Sequence, residues 1–313
     1  MRKTIRIALS GVAEDYPQSL VPIIIRTLGY EIEWTHAGKA DLVIFGPFFH
    51  VGKALRWAPK PLRPLIQSWM QRIHSTHRPL TLFQTAENLR HNHIPCDYAL
   101  SFDLAVGNAR HHRHPYWMEM LDWSDEGVIG NTNTRFGCLL KPERLLKPLG
   151  TAFLQKARRA AIFASHQREP RATLIRELRK HMDVDGFGPV FDSSIQHHSS
   201  STFAKREVLK NYAFNLCPEN TLYPGYYTEK IVEAFYADSL PLAWVDECVC
   251  VDFNPNAMVN LAPMMKNQFR DLAEAIGNDA ALLQKAAEPL LLQRPSIEHL
   301  KAFMKNVLAD ALH

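Results

Sequence analysis

What this 313-residue chain lacks narrows its reading first. No window approaches the ~18 consecutive apolar residues that span a bilayer. The basic N-terminus, Met1-Arg2-Lys3-Thr4-Ile5-Arg6-Ile7-Ala8-Leu9-Ser10, has an apolar run too short and broken for a signal peptide, and it reads as a first strand. Cysteine is scarce: Cys96, Cys138, Cys217, Cys248 and Cys250 are odd in number and show no paired spacing, which argues against a disulfide framework. Excess charge is also lacking. A net +4, from 36 basic and 32 acidic residues, does not call for nucleic acid as a partner. His111-His112-Arg113-His114, His197-His198 and Cys248-x-Cys250 lack zinc-ligand spacing, so no metal is expected. There is no low-complexity tract and no internal repeat.

What is present fits a soluble α/β protein of about two domains. Hydrophobic residues make up 46% of the chain, enough for two cores. Strand-like runs at Ile5 to Ser10, Glu31 to Thr35, Asp41 to Phe45, Thr81 to Thr85 and Tyr98 to Phe102 alternate with a helical run from Pro17 to Leu28. A second alternation begins with a strand at Ala160 to Ala164 and a helix at Arg171 to His181. Two such halves predict two Rossmann-like domains facing a central cleft. The expected division is residues 1–150, residues 151–295, and a final amphipathic helix in 296–313 that packs back on the first domain. Residues 131–158 are basic and leucine-rich and read as the connection. They and Gly52 to Arg78, with Trp57 and Trp69, also suit an anionic lipid surface, although a solvated basic face over a leucine core is the simpler reading. Fifteen histidines make the chain more basic on slight acidification.

The chemistry concentrates after residue 214. An apolar run ends at Leu216, a Pro/Gly loop follows, and Thr228 stands where it can cap a helix opening with Glu229 and Lys230. The unpaired N–H groups and positive dipole end of a helix attract phosphate, and a lysine in the first turn adds a full charge. Apolar Ile231, Ala234, Phe235 and Ala237 would hold the helix's rear face on a sheet. Gly225 is placed to take a positive φ or to let backbone approach a ligand.

Four fragments occur here in order: Phe214-Asn215-Leu216-Cys217-Pro218-Glu219-Asn220, Gly225-Tyr226-Tyr227-Thr228-Glu229-Lys230-Ile231, Pro241-Leu242-Ala243-Trp244-Val245 and Asp252-Phe253-Asn254-Pro255. Together they closely resemble the α1,3/4-fucosyltransferases, glycosyltransferase family ten, in which Pro218 replaces an aromatic residue and Val245 a glycine. The resemblance extends to Thr85-Ala86-Glu87-Asn88, to Asp97-Tyr98-Ala99-Leu100-Ser101-Phe102-Asp103, and to an arginine, Arg171, upstream of Val184-Asp185-Gly186-Phe187-Gly188. It implies an α/β GT-B enzyme that uses no metal or other cofactor and moves L-fucose from GDP-fucose, with inversion, to a hydroxyl of a cell-surface glycan or lipopolysaccharide. Glu87 would be the catalytic base. Arg171 and Lys230 would meet the pyrophosphate, Glu229 the ribose hydroxyls, and Asn220 and Tyr226 the rest of the donor. Partners would be a nucleotide sugar and an oligosaccharide or glycolipid acceptor. The comparison favours a bacterial-type member without anchor or stem, cytoplasmic or peripheral on the inner membrane surface. Two alternatives stay open: another GDP-linked or related nucleotide sugar as donor, and a non-catalytic nucleotide-sugar or glycan-binding protein.

Overall fold

The computed structural model describes residues 3–48, 78–133, 135–191 and 205–313. Residues 52–77 of the basic, Trp-bearing stretch and His197-His198 lie outside the described residues; Arg78, which is described, pairs with Asp97 at 2.7 Å. The chain forms two compact units. One holds residues 1–119, 123–131 and 296–313, and the other holds 120–122 and 132–295. Among the described residues no helix is long and apolar enough to cross a membrane.

The first unit is built on six parallel strands, β1 (Lys3–Ser10), β2 (Tyr30–Trp34), β3 (Leu42–Phe45), β4 (Leu80–Gln84), β5 (Tyr98–Ser101) and β6 (His111–Arg113), in the order β2-β1-β3-β4-β5-β6. Strands covered on both faces read as continuous apolar runs, and β3 and β5 do. The helix expected over Pro17 to Leu28 is divided: Tyr16–Gln18 forms a 3-10 turn, Ser19 is extended (ψ 172°), and α1 runs from Leu20–Thr27. Pro22 is tolerated because it lies in the first turn, where its missing N–H costs nothing. Glu119 Oε2 accepts from Leu20 N at 3.1 Å, and Gly29, at φ +91°, ends the helix. The histidines of β6 gave no strand signal, since the three residues of β6 are only half-buried. The C-terminal helix Glu298–Ala311 buries Leu300, Phe303, Met304, Val307 and Leu308 within this unit, and its Asp310 Oδ2 accepts from Tyr98 Oη at 2.7 Å.

The second unit carries β7 (Ala157–Phe163), β8 (Val184–Phe187), β9 (Tyr212–Pro218), β10 (Leu240–Trp244) and β11 (Val259–Asn260), all parallel, in the order β11-β10-β9-β7-β8. Strand β9 is central and buried from Ala213 onward. Its helices include α2 (Arg171–Leu178), α3 (Lys205–Leu209) and α4 (Glu229–Tyr236). The basic, leucine-rich residues 132–158 belong to this unit: Leu140, Leu145 and Leu149 are buried, while Arg144 pairs with Asp238 at 2.5 Å and Lys156 Nζ donates to Ala237 O at 2.6 Å. These two cations lie at the C-terminal end of α4, where a positive charge offsets the helix dipole. Phe214 packs edge-on against Phe153, ring centroids 6.3 Å apart, and both rings are fully buried. Phe214→Ala should cost about 3–5 kcal/mol of stability, read as a lower denaturant midpoint at unchanged slope; an unmoved midpoint would mean this ring pair does not anchor the central strand.

Candidate functional site

The residues of interest stand at the C-terminal ends of parallel strands, where open α/β sheets leave room for ligands. In the second unit β9 delivers Glu219 and Asn220, and the chain leaving β7 leads through His166 to Arg171 at the start of α2. The loop from residue 221 then turns back through Gly225, which has φ +85°, to the first turn of α4. The positive φ expected for Gly225 is thus present.

Arg171, Asn220 and Tyr226 form one hydrogen-bonded chain. Arg171 Nη2 donates to Asn220 Oδ1 at 2.5 Å, and Asn220 Nδ2 donates to Tyr226 Oη at 3.4 Å. The His166 ring lies against the same guanidinium, with Nε2 3.1 Å from Arg171 Nη1. Arg171 and Tyr226 are buried. Burial fixes the guanidinium fork in one orientation, which suits two-pronged recognition of a phosphate.

Beside this chain the start of α4 is organised differently from the sequence expectation. Thr228 occupies the N-cap position, but its side chain makes no cap bond. Instead Glu219, 1% exposed, accepts from Thr228 N at 2.8 Å, from Thr228 Oγ1 at 2.8 Å and from Lys230 Nζ at 3.1 Å. The carboxylate thus holds the N-cap residue itself, by its N–H and its hydroxyl, and its charge also meets the helix dipole and the ammonium. Lys230 Nζ lies 3.6 Å from Glu229 Oε1 as well. Burial works against the charge on Lys230, yet Glu219 and Glu229 hold its pKa well above the ordinary lysine range. Its ammonium is therefore a fixed charge shared with two carboxylates.

One layer deeper, Lys205 Nζ contacts Glu233 Oε2 at 2.6 Å, and Asn133 Nδ2 donates to Glu233 Oε1 at 3.3 Å. Burial raises the pKa of Glu233. Burial also opposes ionisation of Glu229, but Lys230 and Lys205 overcome it and leave its carboxyl at about 2. Glu229 is thus a permanent hydrogen-bond acceptor at neutral pH.

The five donor-site candidates, Arg171, Asn220, Tyr226, Glu229 and Lys230, come together. Glu87 belongs to the first unit, in the loop leaving β4. Thr85 Oγ1 accepts from Glu87 N at 3.0 Å and donates to Glu87 O at 2.8 Å, a local turn that fixes the backbone on which the half-buried carboxylate stands. From the sequence, Glu219 stands in a recognised motif without a role of its own, and Lys205, Glu233, Asn133 and His166 were not among the candidates. Glu233 left a trace, a charge set among the apolar positions of α4 one turn after Glu229; Lys205 and Asn133 left none, because only folding brings them to α4.

Two outcomes follow. Glu219→Ala should cost about 3–5 kcal/mol, since it leaves a buried ammonium short of its main partner, whereas Glu219→Gln should cost less; equal midpoints for wild type and Glu219→Ala in urea unfolding would refute the role given to this carboxylate. The folded-state pKa of Glu229 is depressed, so its contribution is complete above the unfolded value of ~4.3 and is lost as pH falls toward about 2. Acid unfolding of Glu229→Gln should therefore depend less on pH across that window than wild type, and parallel curves would contradict the depressed pKa.

Known proteins resemble this chain in sequence and in fold. The family described as "Glycosyltransferase family 10 (fucosyltransferase) C-term" matches residues 153–268, which include all five donor-site candidates. An alpha-(1,3)-fucosyltransferase of Helicobacter pylori, FucT, is 30% identical over 228 residues, 66% of this chain and 45% of that protein, so the chain spans less than half the length of this relative. A crystal structure of an alpha1,3-fucosyltransferase superposes with a TM-score of 0.67 at 25% identity, covering 98% of this chain and 91% of the other. The corresponding GDP-fucose complex gives 0.64 at 24% identity over the same shares of each chain. The architecture is GT-B. In its motifs, its fold and its relatives the chain is similar to the fucosyltransferases of glycosyltransferase family 10, whose C-terminal model matches residues 153–268.

Proposed function

We propose that this protein transfers L-fucose from GDP-fucose to O3 of a GlcNAc or glucose residue in a cell-surface glycan or lipopolysaccharide, with inversion and without a metal. The observation that carries the reading is the Arg171–Asn220–Tyr226 chain with the Glu229–Lys230 pair near it, past the end of β9. It combines one buried guanidinium, one fixed ammonium and one ionised carboxylate, matching a pyrophosphate and a pair of ribose hydroxyls. The family match over these residues supports the same donor.

In the proposed step the acceptor oxygen attacks C1 of fucose while the bond from C1 to the β-phosphate oxygen breaks, and GDP departs with that electron pair. The hydroxyl proton passes to Glu87. A nucleoside diphosphate is a good leaving group and needs no general acid, so Arg171 and Lys230 suffice by stabilising its growing charge. We place the enzyme in the cytoplasm, free or peripheral on the inner membrane surface, with an oligosaccharide or glycolipid acceptor. Pro218 and Val245 leave a second donor sugar as the alternative, and a nucleotide-sugar or glycan-binding protein without turnover as the other.

The test is transfer measured with GDP-fucose, GDP-mannose and UDP-galactose in EDTA, beside calorimetric binding of GDP. GDP-fucose should be consumed and GDP-mannose spared. Glu87→Gln should lower kcat by about 10²–10⁴ with GDP affinity unchanged. Lys230→Ala and Arg171→Lys should weaken GDP binding. Preference for another sugar would overturn the donor, and full turnover in Glu87→Gln would overturn the base. GDP-fucose binding without turnover on any glycan acceptor would favour the non-catalytic reading.

A further inference from the structure

At the opposite edge of the first unit's sheet from β2, three segments bring two imidazoles and one carboxylate together. His91 comes from the loop leaving β4, Asp103 from the end of β5, and His111 from β6. Their ligand atoms all lie within 4.8 Å of one another. His91 Nδ1 is 2.5 Å from Asp103 Oδ2, and His111 Nε2 is 2.8 Å from Ser101 Oγ, which donates to the same Asp103 oxygen at 3.0 Å. The two rings face each other, centroids 4.3 Å apart and tilted by 36°.

We propose that His91, Asp103 and His111 form a binding site for a divalent transition metal, Zn2+ before others, with water as the fourth ligand. Two imidazoles and a carboxylate are a borderline nitrogen and oxygen set that suits Zn2+, and three protein ligands leave a tetrahedral position open. Bonds of about 2.0–2.1 Å in that geometry set ligand atoms about 3.3 Å apart. The His91–Asp103 contact therefore needs to widen by less than 1 Å, which rotation of the half-buried His91 ring supplies. Asp103 is already oriented for the purpose. Its Oδ1 accepts from Arg90 Nε at 2.9 Å, which turns Oδ2 toward the imidazoles, as partners outside a metal's own ligands commonly do. Arg90 opposes the cation by charge; its side chain is 36% exposed and its Nε meets the far oxygen, so solvent screens much of this.

The spacing His91-x11-Asp103-x7-His111 matches no zinc motif, and parallel pairing of β4, β5 and β6 is what assembles it. A metal there would tie the loop that follows Glu87 to the ends of β5 and β6. The site is separate from the transfer reading, which places no metal in the reaction, so either holds if the other fails.

The chelator-stripped 313-residue protein should be titrated with ZnCl2 by calorimetry and with CoCl2 by visible absorption, and its melting followed with added Zn2+. One equivalent of Zn2+ should bind with a micromolar or tighter dissociation constant and raise the melting temperature, as any ligand of the folded state does. Co2+ should show four-coordinate bands without a thiolate charge-transfer band. His111→Gln and His91→Gln should each weaken binding about tenfold or more while keeping the wild-type circular dichroism. His93→Gln and the double variant Cys248→Ser, Cys250→Ser should bind as wild type. Absence of stoichiometric binding, binding retained in both His91→Gln and His111→Gln, or binding lost with the two cysteines would overturn the proposal.

Discussion

The carboxylate of Glu219 is the contact on which the candidate donor site depends. It is buried at the end of the central strand and holds the first turn of α4 by three hydrogen bonds, one from backbone, one from a hydroxyl and one from an ammonium. A buried carboxylate is costly unless it is paired and hydrogen-bonded, and here both conditions are met. The consequence is geometric. Once Thr228 and Lys230 are fixed to the strand, Glu229 between them has little freedom, and its neighbour Asn220 is carried on the same strand end toward Arg171.

Electrostatics then assigns the groups their states. Two lysines and three carboxylates share the start and buried face of α4, with Arg171 close by. Glu229 stays ionised because Lys230 and Lys205 outweigh its desolvation, whereas burial dominates at Glu233. Lys230 is a charge already partnered, so the proposed phosphate would add to an existing network and would not neutralise a bare cation. Arg171 differs: its guanidinium faces an amide and an imidazole, so it brings a formal charge with no carboxylate among those contacts.

Much of this was legible in the residues. Strands β3, β5 and β9 are apolar runs because both faces of a parallel sheet are covered, and that pattern survives without any knowledge of neighbours. The loop, the helix that follows it and the lysine in its first turn were legible because they lie in contiguous residues. Less was legible where function is held by pairs distant in sequence. The capping bond expected of Thr228 is not made, and its N–H and hydroxyl go to Glu219, because local reasoning cannot see a carboxylate arriving from the strand before. His111 to Arg113 reads as a polar cluster and forms a strand at the edge of the sheet, since an edge strand of three half-buried residues needs no apolar alternation.

The sequence by itself determined the α/β class, the resemblance to the fucosyltransferases and the five candidate residues that the fold brings together, because these rest on local periodicity or on short motifs. Only the tertiary structure decided which charges pair, that Lys205 and Asn133 support α4 from a distance, that Leu140 to Leu149 pack in the second unit, and that His91, Asp103 and His111 converge. The physical reason is the same in each case. Hydrogen bonds and ion pairs act over a few ångströms, and which side chains come within that range is set by strand order and register, which residue spacing alone does not encode.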